Sequence, residues 1–389
     1  MSLLVFESLQ NKIFMKIVHV VEPFVGGIVT FINSLVKNLD DDSHIIIHGE
    51  REELMPLSEV KKQFSSPNVK FLRWKSAQRS LNPQKDIIAF LELYTILKRL
   101  KVSDSIDVVH LHSSKGGFLG RIVCRLLGIQ DVVFYTPNGA PFLANESLTT
   151  NYIYKKLEKI ASSFGGQVVS CSPSKQKAYK LAGIDSVTIN NGIQPKKVAT
   201  LSKSRKKDRI FRIVTSGRIA DQKNPILFNK IATYFEEFKQ FKFLWIGEGN
   251  QRNLLTAKNI QVTGWLAKEE LDKVVNDADV YLSTANFEGL PFAVLEALAL
   301  KKPVLLTDCV GNKDLVMNGL NGDVYKNENQ AINKILHFYN NSSMLNIMGE
   351  HSIAHCKTSF DLSDTYNSYR DLYQKASLIY KGSNIRLNN

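Results

Sequence analysis

The sequence has few cysteines, no long apolar run and no recognisable export signal. Its four cysteines are scattered without a Cys-x-x-Cys pair, which favours free thiols in a reducing compartment over a zinc site or a disulfide framework. The apolar runs are short and interrupted by glutamate, so none is predicted to cross a bilayer. Residues 1–14 lack the features of a signal peptide, and we expect them to lie outside a fold that begins at Met15.

What is present is typical of a globular protein with two domains. Hydrophobic residues make up 44% of the chain and charged residues 22%, which excludes wholesale disorder. A chain of 389 residues is also too long for one ordinary core. The net charge is +13, of which +8 falls in residues 1–198 and +3 in residues 199–208. This basic first half indicates an anionic partner, or serves solubility alone.

Strand-like and helix-like segments alternate in both halves, which predicts two α/β domains with parallel sheets facing a cleft. Residues 200–209 (TLSKSRKKDR) are polar without apolar periodicity and predict a linker. The domains are therefore predicted at residues 15–199 and 210–360. The main predicted strands cover residues 16–21, 44–48, 69–73, 107–111, 131–135 and 167–171, then 211–218, 241–249, 259–265, 278–284 and 303–308.

Two carboxylates frame the stretch FEGLPFAVLEA (287–297). Pro291 suits the first turn of a helix, whose free N–H groups favour anions or sugar hydroxyls. Glu288 and Glu296 are expected to lie about 10 Å apart. A general acid and base that act on one glycosidic bond lie roughly 5–9.5 Å apart, so the pair suits two ends of one ligand, such as a nucleotide sugar.

This stretch resembles the Glu-x7-Glu signature of retaining GT-B glycosyltransferases of the family-4 type, whose fold is two Rossmann-like parallel-sheet domains. The resemblance implies that Glu288 contacts the donor sugar and Glu296 the ribose. It covers nearly all of residues 15–375 and implies that residues 361–381 form a helix that crosses back to the first domain.

The loop SGRIADQKNP (216–225) carries the next part of the resemblance. It implies that Arg218 and Lys223 clamp the diphosphate, and two fixed cations would stabilise the charge on a departing nucleoside diphosphate. The resemblance also implies a donor-binding role for residues in IGEGN (246–250) and EPFVGGI (22–28). The donor-binding residues implied in this way are Gly26, Gly27, Gly217, Gly247, Gly249, Gly289, Leu290, Pro291, Phe292, Ala293 and Glu296.

Residues 79–128 resemble the subgroup that builds capsule, exopolysaccharide or O-antigen units on a polyprenyl diphosphate. A helix begins just after the predicted strand 107–111. The free N–H groups at its N-terminus suit a phosphate group of the acceptor. Arg121 and Arg125 share one face of that helix, which either meets anionic lipid or packs on the sheet. His112 lines the acceptor cleft or belongs to the core. The candidate acceptor-binding residues are His112, Ser113, Ser114, Lys115 and Gly116.

Two positions depart from the pattern of the family. Asn138 stands where many relatives have a histidine important for catalysis, and an asparagine can hydrogen-bond a sugar hydroxyl but cannot titrate. Gln194 stands in place of an aspartate in NNGIQ (190–194). We include Asn138 with Glu288, Arg218 and Lys223 among the candidate catalytic residues.

The resemblance implies a retaining hexosyltransferase that takes a nucleotide sugar, with a UDP-sugar favoured, and a polyprenyl-diphosphate-linked glycan as acceptor. It implies no obligatory metal or cofactor, and a cytoplasmic location at the inner face of the membrane. The alternatives are a GT-B sugar-nucleotide epimerase and a catalytically silent scaffold. A nucleic-acid partner is not expected, because the basic residues lack interleaved aromatics or a known motif.

Overall fold

Two parallel β-sheets form the cores of the molecule in the computed structural model, which describes residues 14–51, 56–78, 82–103, 105–139, 141–143, 147–195 and 210–387. The predicted linker at residues 200–209 and most of the predicted N-terminal extension lie outside these residues. The described residues therefore do not test the predicted domain boundaries. They do show that each half of the chain builds its own sheet.

The first sheet has seven parallel strands in the order β3-β2-β1-β4-β5-β6-β7. Its central strands are short runs rich in β-branched residues that are buried on both faces, as expected for a parallel sheet covered by helices. The strands are β1 (Lys16–Val21), β2 (Ser43–His48), β3 (Val69–Arg73), β4 (Val108–His112), β5 (Val133–Thr136), β6 (Gln167–Ser170) and β7 (Ser186–Thr188).

In the part of the first half that the structure describes, six α-helices accompany this sheet. Apolar residues of α3, α4 and α6 pack into the core on one face, whereas α1 packs on the other. The helices are α1 (Gly27–Asn38), α2 (Leu57–Lys62), α3 (Pro83–Ser103), α4 (Ser113–Leu126), α5 (Leu148–Ser162) and α6 (Pro173–Leu181).

The second sheet has six parallel strands in the order β10-β9-β8-β11-β12-β13. Its strands are β8 (Phe211–Ser216), β9 (Phe241–Ile246), β10 (Ile260–Gly264), β11 (Val280–Ser283), β12 (Val304–Thr307) and β13 (Gly322–Tyr325). The helices that follow are α7 (Pro225–Tyr234), α8 (Lys268–Asp277), α9 (Phe292–Ala299), α10 (Glu328–Asn340), α11 (Met344–Ser359) and α12 (Leu362–Leu387). The chain order of both sheets reverses beside the first strand of each, which is where open α/β sheets bind ligands.

Helix α12 returns to the first domain and completes the core beside α1. Tyr373 lies 2.6 Å from His110, hydroxyl to Nδ1, and the Tyr369 hydroxyl lies 3.3 Å from Thr136 Oγ1. Both tyrosines are fully buried. Among the described residues, no helix combines the length and apolarity that a bilayer span requires.

Three details differ from the prediction. The strands β7 and β13 are absent from it, because segments of three and four residues give almost no alternating pattern. Helix α12 continues to Leu387 instead of ending at residue 381, because Gly382 weakens a helix without terminating it and no proline follows. Pro291 is the N-cap of α9 and precedes its first turn.

We expect Tyr373→Phe to lower the free energy of unfolding by about 1–3 kcal/mol, because it leaves the buried His110 Nδ1 without a partner. Tyr380→Phe on the same helix is the control, since its hydroxyl makes only an exposed 3.5 Å contact with Gly128 O. Urea unfolding of both variants measures the difference. Equal free energies of unfolding in the two variants would contradict a stabilising role for the Tyr373 hydroxyl.

Candidate active site

Two loops at the carboxyl ends of β8 and β11 meet at an ion pair. Lys223 Nζ lies 2.7 Å from Glu288 Oε1. Glu288 is 7% exposed, and its other carboxylate oxygen accepts a 3.4 Å hydrogen bond from Gln222 Nε2. The neighbouring strands of the parallel sheet thus bring together two residues that the sequence analysis assigned to one site.

Backbone and amide hydrogen bonds fix these two loops to each other. Asn286 N donates to Gln222 O over 2.9 Å, and Asn224 Nδ2 donates to Asn286 Oδ1 over 3.0 Å. The Thr284 hydroxyl donates to Lys223 O over 2.7 Å. The ion pair is therefore held by a preorganised frame rather than by two mobile side chains.

The electrostatics of the pair keep Lys223 charged. Burial opposes the charge on its ammonium most strongly, but Glu288, Tyr281 and Cys309 together outweigh this effect, and the pKa of Lys223 is raised above its ordinary value. Arg218, half-buried, follows Gly217 at the end of β8. The loop after β8 thus supplies two cationic side chains, as an anionic ligand requires.

Glycines allow the turns after β8 and β9 to touch. A Cβ at Gly247 would lie 2.2 Å from Gly217 O, and a Cβ at Gly249 would lie 2.1 Å from Ile219 O. Gly247 also has φ 141°, where a side chain is strained. Gly247 and Gly249 thus position the loop that carries Arg218. Their predicted contact with a donor stays a prediction.

The second glutamate of the signature, Glu296, lies on α9 and is ion-paired with Lys268. Lys268 also borders a cavity of about 440 Å³ between the N-terminal end of α9 and α1 of the first domain. Gly27 faces the same helix end, since its Cβ would lie 3.9 Å from Phe292 Cδ2. The cavity is lined by Thr30, Ser34, Lys37, Gly192, Ile193, Gln194, Pro195, Lys268, Phe292 and Leu362.

The donor loop, which we define as residues 288–291, is pressed against the first domain. A Cβ at Gly289 would lie 2.4 Å from Asn138 O and 3.0 Å from Cys171 Sγ. Asn191 Nδ2 donates to Leu290 O over 2.9 Å. Asn138 therefore does lie at the donor loop, but it meets Gly289 through its backbone, and its side-chain amide makes a 3.5 Å hydrogen bond to Thr136 O.

The predicted acceptor residues do not form one open site. The Ser113 hydroxyl donates to the backbone carbonyl of Glu22, and Gly116 packs on Val20 O, 3.1 Å from where a Cβ would stand. Ser114 is half-buried beside them. Lys115 Nζ forms an ion pair of 2.5 Å with Asp86. A carboxylate of α3 thus holds this ammonium in the ligand-free structure, and the contact of Lys115 with an acceptor phosphate stays a prediction.

His112 is fully buried in the core, which corrects its predicted place in the acceptor cleft. His44 Nε2 lies 3.0 Å from the Leu39 carbonyl and must donate to it. His44 Nδ1 then accepts from His19 Nε2 at 3.1 Å, and His19 Nδ1 accepts from His112 Nε2 at 3.1 Å. This chain fixes the tautomer of each neutral ring and leaves His112 Nδ1 without a partner.

Of the two alternatives for α4, packing on the sheet is the observed one. Arg121 is 1% exposed, pairs with Glu158 at 2.6 Å and lies over the Tyr135 ring, 4.4 Å from its centroid. Arg125 is exposed at the far end of the helix. The two arginines share a helix face in sequence, but the burial of Arg121 removes it from any lipid-facing surface.

The sequence analysis missed two residues at the junction of the domains. Ser174 N donates to Asp314 Oδ1 over 3.1 Å, so a carboxylate of the second domain caps α6 of the first. Lys175, the next residue, is fully buried beside the donor loop. The string SPSKQK gives no signal for either contact, because both depend on how the two domains meet.

Comparison with known proteins identifies the family. A model of glycosyl transferases group 1 matches residues 198–355, and a model described as glycosyl transferase 4-like matches residues 54–206. The second half of the chain thus carries a group 1 glycosyltransferase domain, and the first half carries a glycosyl transferase 4-like domain. This confirms the resemblance drawn from the signature around Glu288 and the prediction of a hexosyltransferase-type enzyme.

Relatives and solved structures agree with this assignment. The chain is 28% identical over 320 residues to the Escherichia coli UDP-Gal:alpha-D-GlcNAc-diphosphoundecaprenol alpha-1,3-galactosyltransferase, covering 76% of this chain and 81% of the relative. Sucrose-phosphate synthase from Thermosynechococcus elongatus superimposes with a TM-score of 0.75 at 15% identity, over 93% of this chain and 98% of that one. Anabaena HepE in complex with UDP and glucose gives 0.71 at 16% identity, over 93% and 100%. The GT-B fold is thereby confirmed.

The buried histidines predict a loss of stability in mild acid. Burial lowers the pKa of His19, His110 and His112 well below the ordinary value, and the neighbouring histidines lower it further. The unfolded chain, with histidine pKa values of about 6.5, then binds more protons than the folded one. Stability is retained above this pH and falls below it by about 1.4 kcal/mol per pH unit for each histidine.

Urea unfolding at pH 7.5, 6.5 and 5.5 measures this slope. We expect His19→Gln to reduce it and His337→Gln, at an exposed position of α10, to leave it unchanged. A free energy of unfolding that stays constant from pH 7.5 to 5.5 would refute the prediction, whatever the variants show.

Proposed function

We propose that this enzyme transfers a hexose, with retention of the anomeric configuration, from a UDP-sugar to a lipid-linked glycan in the synthesis of a bacterial surface polysaccharide. The observation that carries the proposal is the Lys223–Glu288 ion pair at the carboxyl ends of β8 and β11, with Arg218 on the same loop as Lys223. The name of the Escherichia coli relative, a galactosyltransferase with a UDP-sugar donor and a diphosphoundecaprenol acceptor, supports the choice of both substrates.

In the proposed mechanism, the diphosphate of the donor binds Lys223 and Arg218, and the hexose hydroxyls bind Glu288. The bond between the anomeric carbon and the diphosphate breaks, and the acceptor hydroxyl bonds to that carbon on the same face. Its proton passes to an oxygen of the departing diphosphate. The two cations stabilise the charge that develops on the leaving group, so that no divalent ion is required.

In this proposal the remaining parts of the donor occupy the same cleft. Glu296 would accept hydrogen bonds from the ribose hydroxyls, beside Lys268 and the cavity of about 440 Å³. Gly27 and Phe292 stand where the two domains approach each other. Asn138 would act by position, because an amide cannot transfer a proton at neutral pH.

We expect UDP to bind with EDTA present, and Lys223→Met to weaken this binding about 10–100-fold, because a hydrogen bond to a charged group contributes about 1.5–3 kcal/mol. Lys230→Met, at an exposed position of α7, is the matched control. Isothermal titration calorimetry with UDP, GDP and ADP measures the binding. Unchanged affinity of Lys223→Met for UDP would refute the assigned diphosphate site. If GDP or ADP binds more tightly than UDP, the proposal of a UDP-sugar donor is wrong.

We further propose that the first domain docks on the anionic inner face of the cytoplasmic membrane. The helices α3 and α5 flank α4 and expose apolar side chains beside lysines such as Lys85 and Lys156. Apolar groups between basic residues suit the boundary between acyl chains and anionic headgroups. This surface, the α3–α5 face, consists of Ile87, Ile88, Leu91, Leu148, Tyr152 and Ile153.

The double variant Tyr152→Ser/Ile153→Ser should bind vesicles that contain phosphatidylglycerol at least tenfold more weakly than the wild type. Tyr234→Ser, which removes a 49% exposed tyrosine from the second domain, serves as the control. Co-sedimentation with anionic and with zwitterionic vesicles measures binding. The α3–α5 face is excluded as the docking surface if the wild type does not bind anionic vesicles. It is also excluded if the double variant binds them as strongly as the wild type.

A further inference from the structure

Lys175 is a fully buried lysine of the first domain, near the start of α6. Its ammonium has a thiol as its nearest polar contact, Cys171 Sγ at 3.8 Å. Within the described part of the chain, no carboxylate lies within ion-pair distance of it. Burial accordingly lowers the pKa of Lys175, and neighbouring groups, including Cys171, Glu158 and Glu288, offset this only in part.

This ammonium lies against the donor loop. A Cβ at Gly289 would stand 3.4 Å from Lys175 Nζ, and Glu288, the preceding residue, is the carboxylate that pairs with Lys223. Two lysines, one from each domain, therefore lie at the donor loop: Lys223 pairs with the Glu288 carboxylate, and the Lys175 ammonium lies close to Gly289.

A buried charge without a counter-ion is costly, and an apolar side chain of similar length would fill this space with less penalty. Lys175 therefore weakens the fold in the ligand-free state. We therefore ask in which state of the protein this ammonium could pair with a negative charge.

The proposed donor binding supplies such a state. When the diphosphate draws Lys223 toward itself, Glu288 loses its partner while it remains buried, at 7% exposure. We propose that Lys175 is a positioning residue that then provides the counter-charge for Glu288, so that this carboxylate stays ionised and directed at the donor sugar. This inference rests on the proposed function, since it requires that Lys223 turns to an anionic donor.

The contact also depends on how the domains meet. The Ser174 hydroxyl accepts a 3.0 Å hydrogen bond from Gly311 N, and Ser174 N donates to Asp314. The start of α6 is thus fixed to the second domain directly beside Lys175. Separation of the domains would withdraw the ammonium from the donor loop, so that assembly of the site follows from domain closure.

The variant Lys175→Met separates this role from a structural one. We expect its melting temperature to equal or exceed that of the wild type, because a buried charge is removed, while kcat falls about 10–100-fold. UDP affinity should fall less than in Lys223→Met, because Lys223 and Arg218 still bind the diphosphate while Glu288 is left without a counter-charge. Lys177→Met, at an exposed position of the same helix, should change none of these values.

The decisive comparison adds Glu288→Gln. If Lys175 acts through Glu288, Lys175→Met should cause less than a twofold further loss of kcat in the Glu288→Gln background, measured with UDP-galactose and a synthetic lipid-diphosphate-linked N-acetylglucosamine. Full activity of Lys175→Met, a lower melting temperature together with lower activity, or losses that multiply in the double variant would each overturn the inference. Failure of the wild type to bind UDP would instead refute the proposed function.

Discussion

The ion pair between Lys223 and Glu288 is the interaction on which the site depends. Both groups lie at loop positions of one sheet, and a charged pair with little access to water is stable only when its geometry is held and its other hydrogen bonds are satisfied. The hydrogen bonds among Asn286, Gln222 and Asn224 meet this need. The glycine turns after β8 and β9 meet it as well, because they let two backbones pack without side chains between them.

The same constraint extends to the boundary of the domains. Gly289 follows the paired glutamate directly, and a side chain there would collide with the carbonyl of Asn138. The first domain thus forms one wall of the donor site without a titrating group at that position. Lys175 and Asn191 reach the donor loop from the same side, so that three segments of the first domain contact a loop of only four residues.

Much of the fold follows from local patterns in the sequence. The buried strands are β-branched runs that end at polar residues, and their alternation with helices permits few arrangements other than two parallel sheets. The roles predicted for Glu288 and Lys223 come instead from the resemblance of their surrounding segments to a known family. Their contact of 2.7 Å agrees with the assignment of both to one site.

Other features depend on tertiary contacts that no local pattern encodes. His112 and Lys115 have the right types for a binding site, but the buried His19 and His110 pack against the first and Asp86 pairs with the second. Arg121 has the spacing of a surface arginine, and only the position of Glu158 on another helix shows that it is a core residue. Lys175 gave no signal, because a lysine in a polar helix is usually exposed.

The route of helix α12 has a consequence for the order in which the protein is made. Tyr366, Tyr369 and Tyr373 belong to the core of the first domain, although the last strand of that domain ends at Thr188. On the ribosome, the first sheet emerges long before the helix that covers it. The sheet of the second domain is complete by Tyr325, and the helices α10 and α11 follow it directly in the chain. The domain that is synthesised first is therefore the last to be finished, because the part of its core that α12 covers stays exposed until residues 362–387 have left the ribosome.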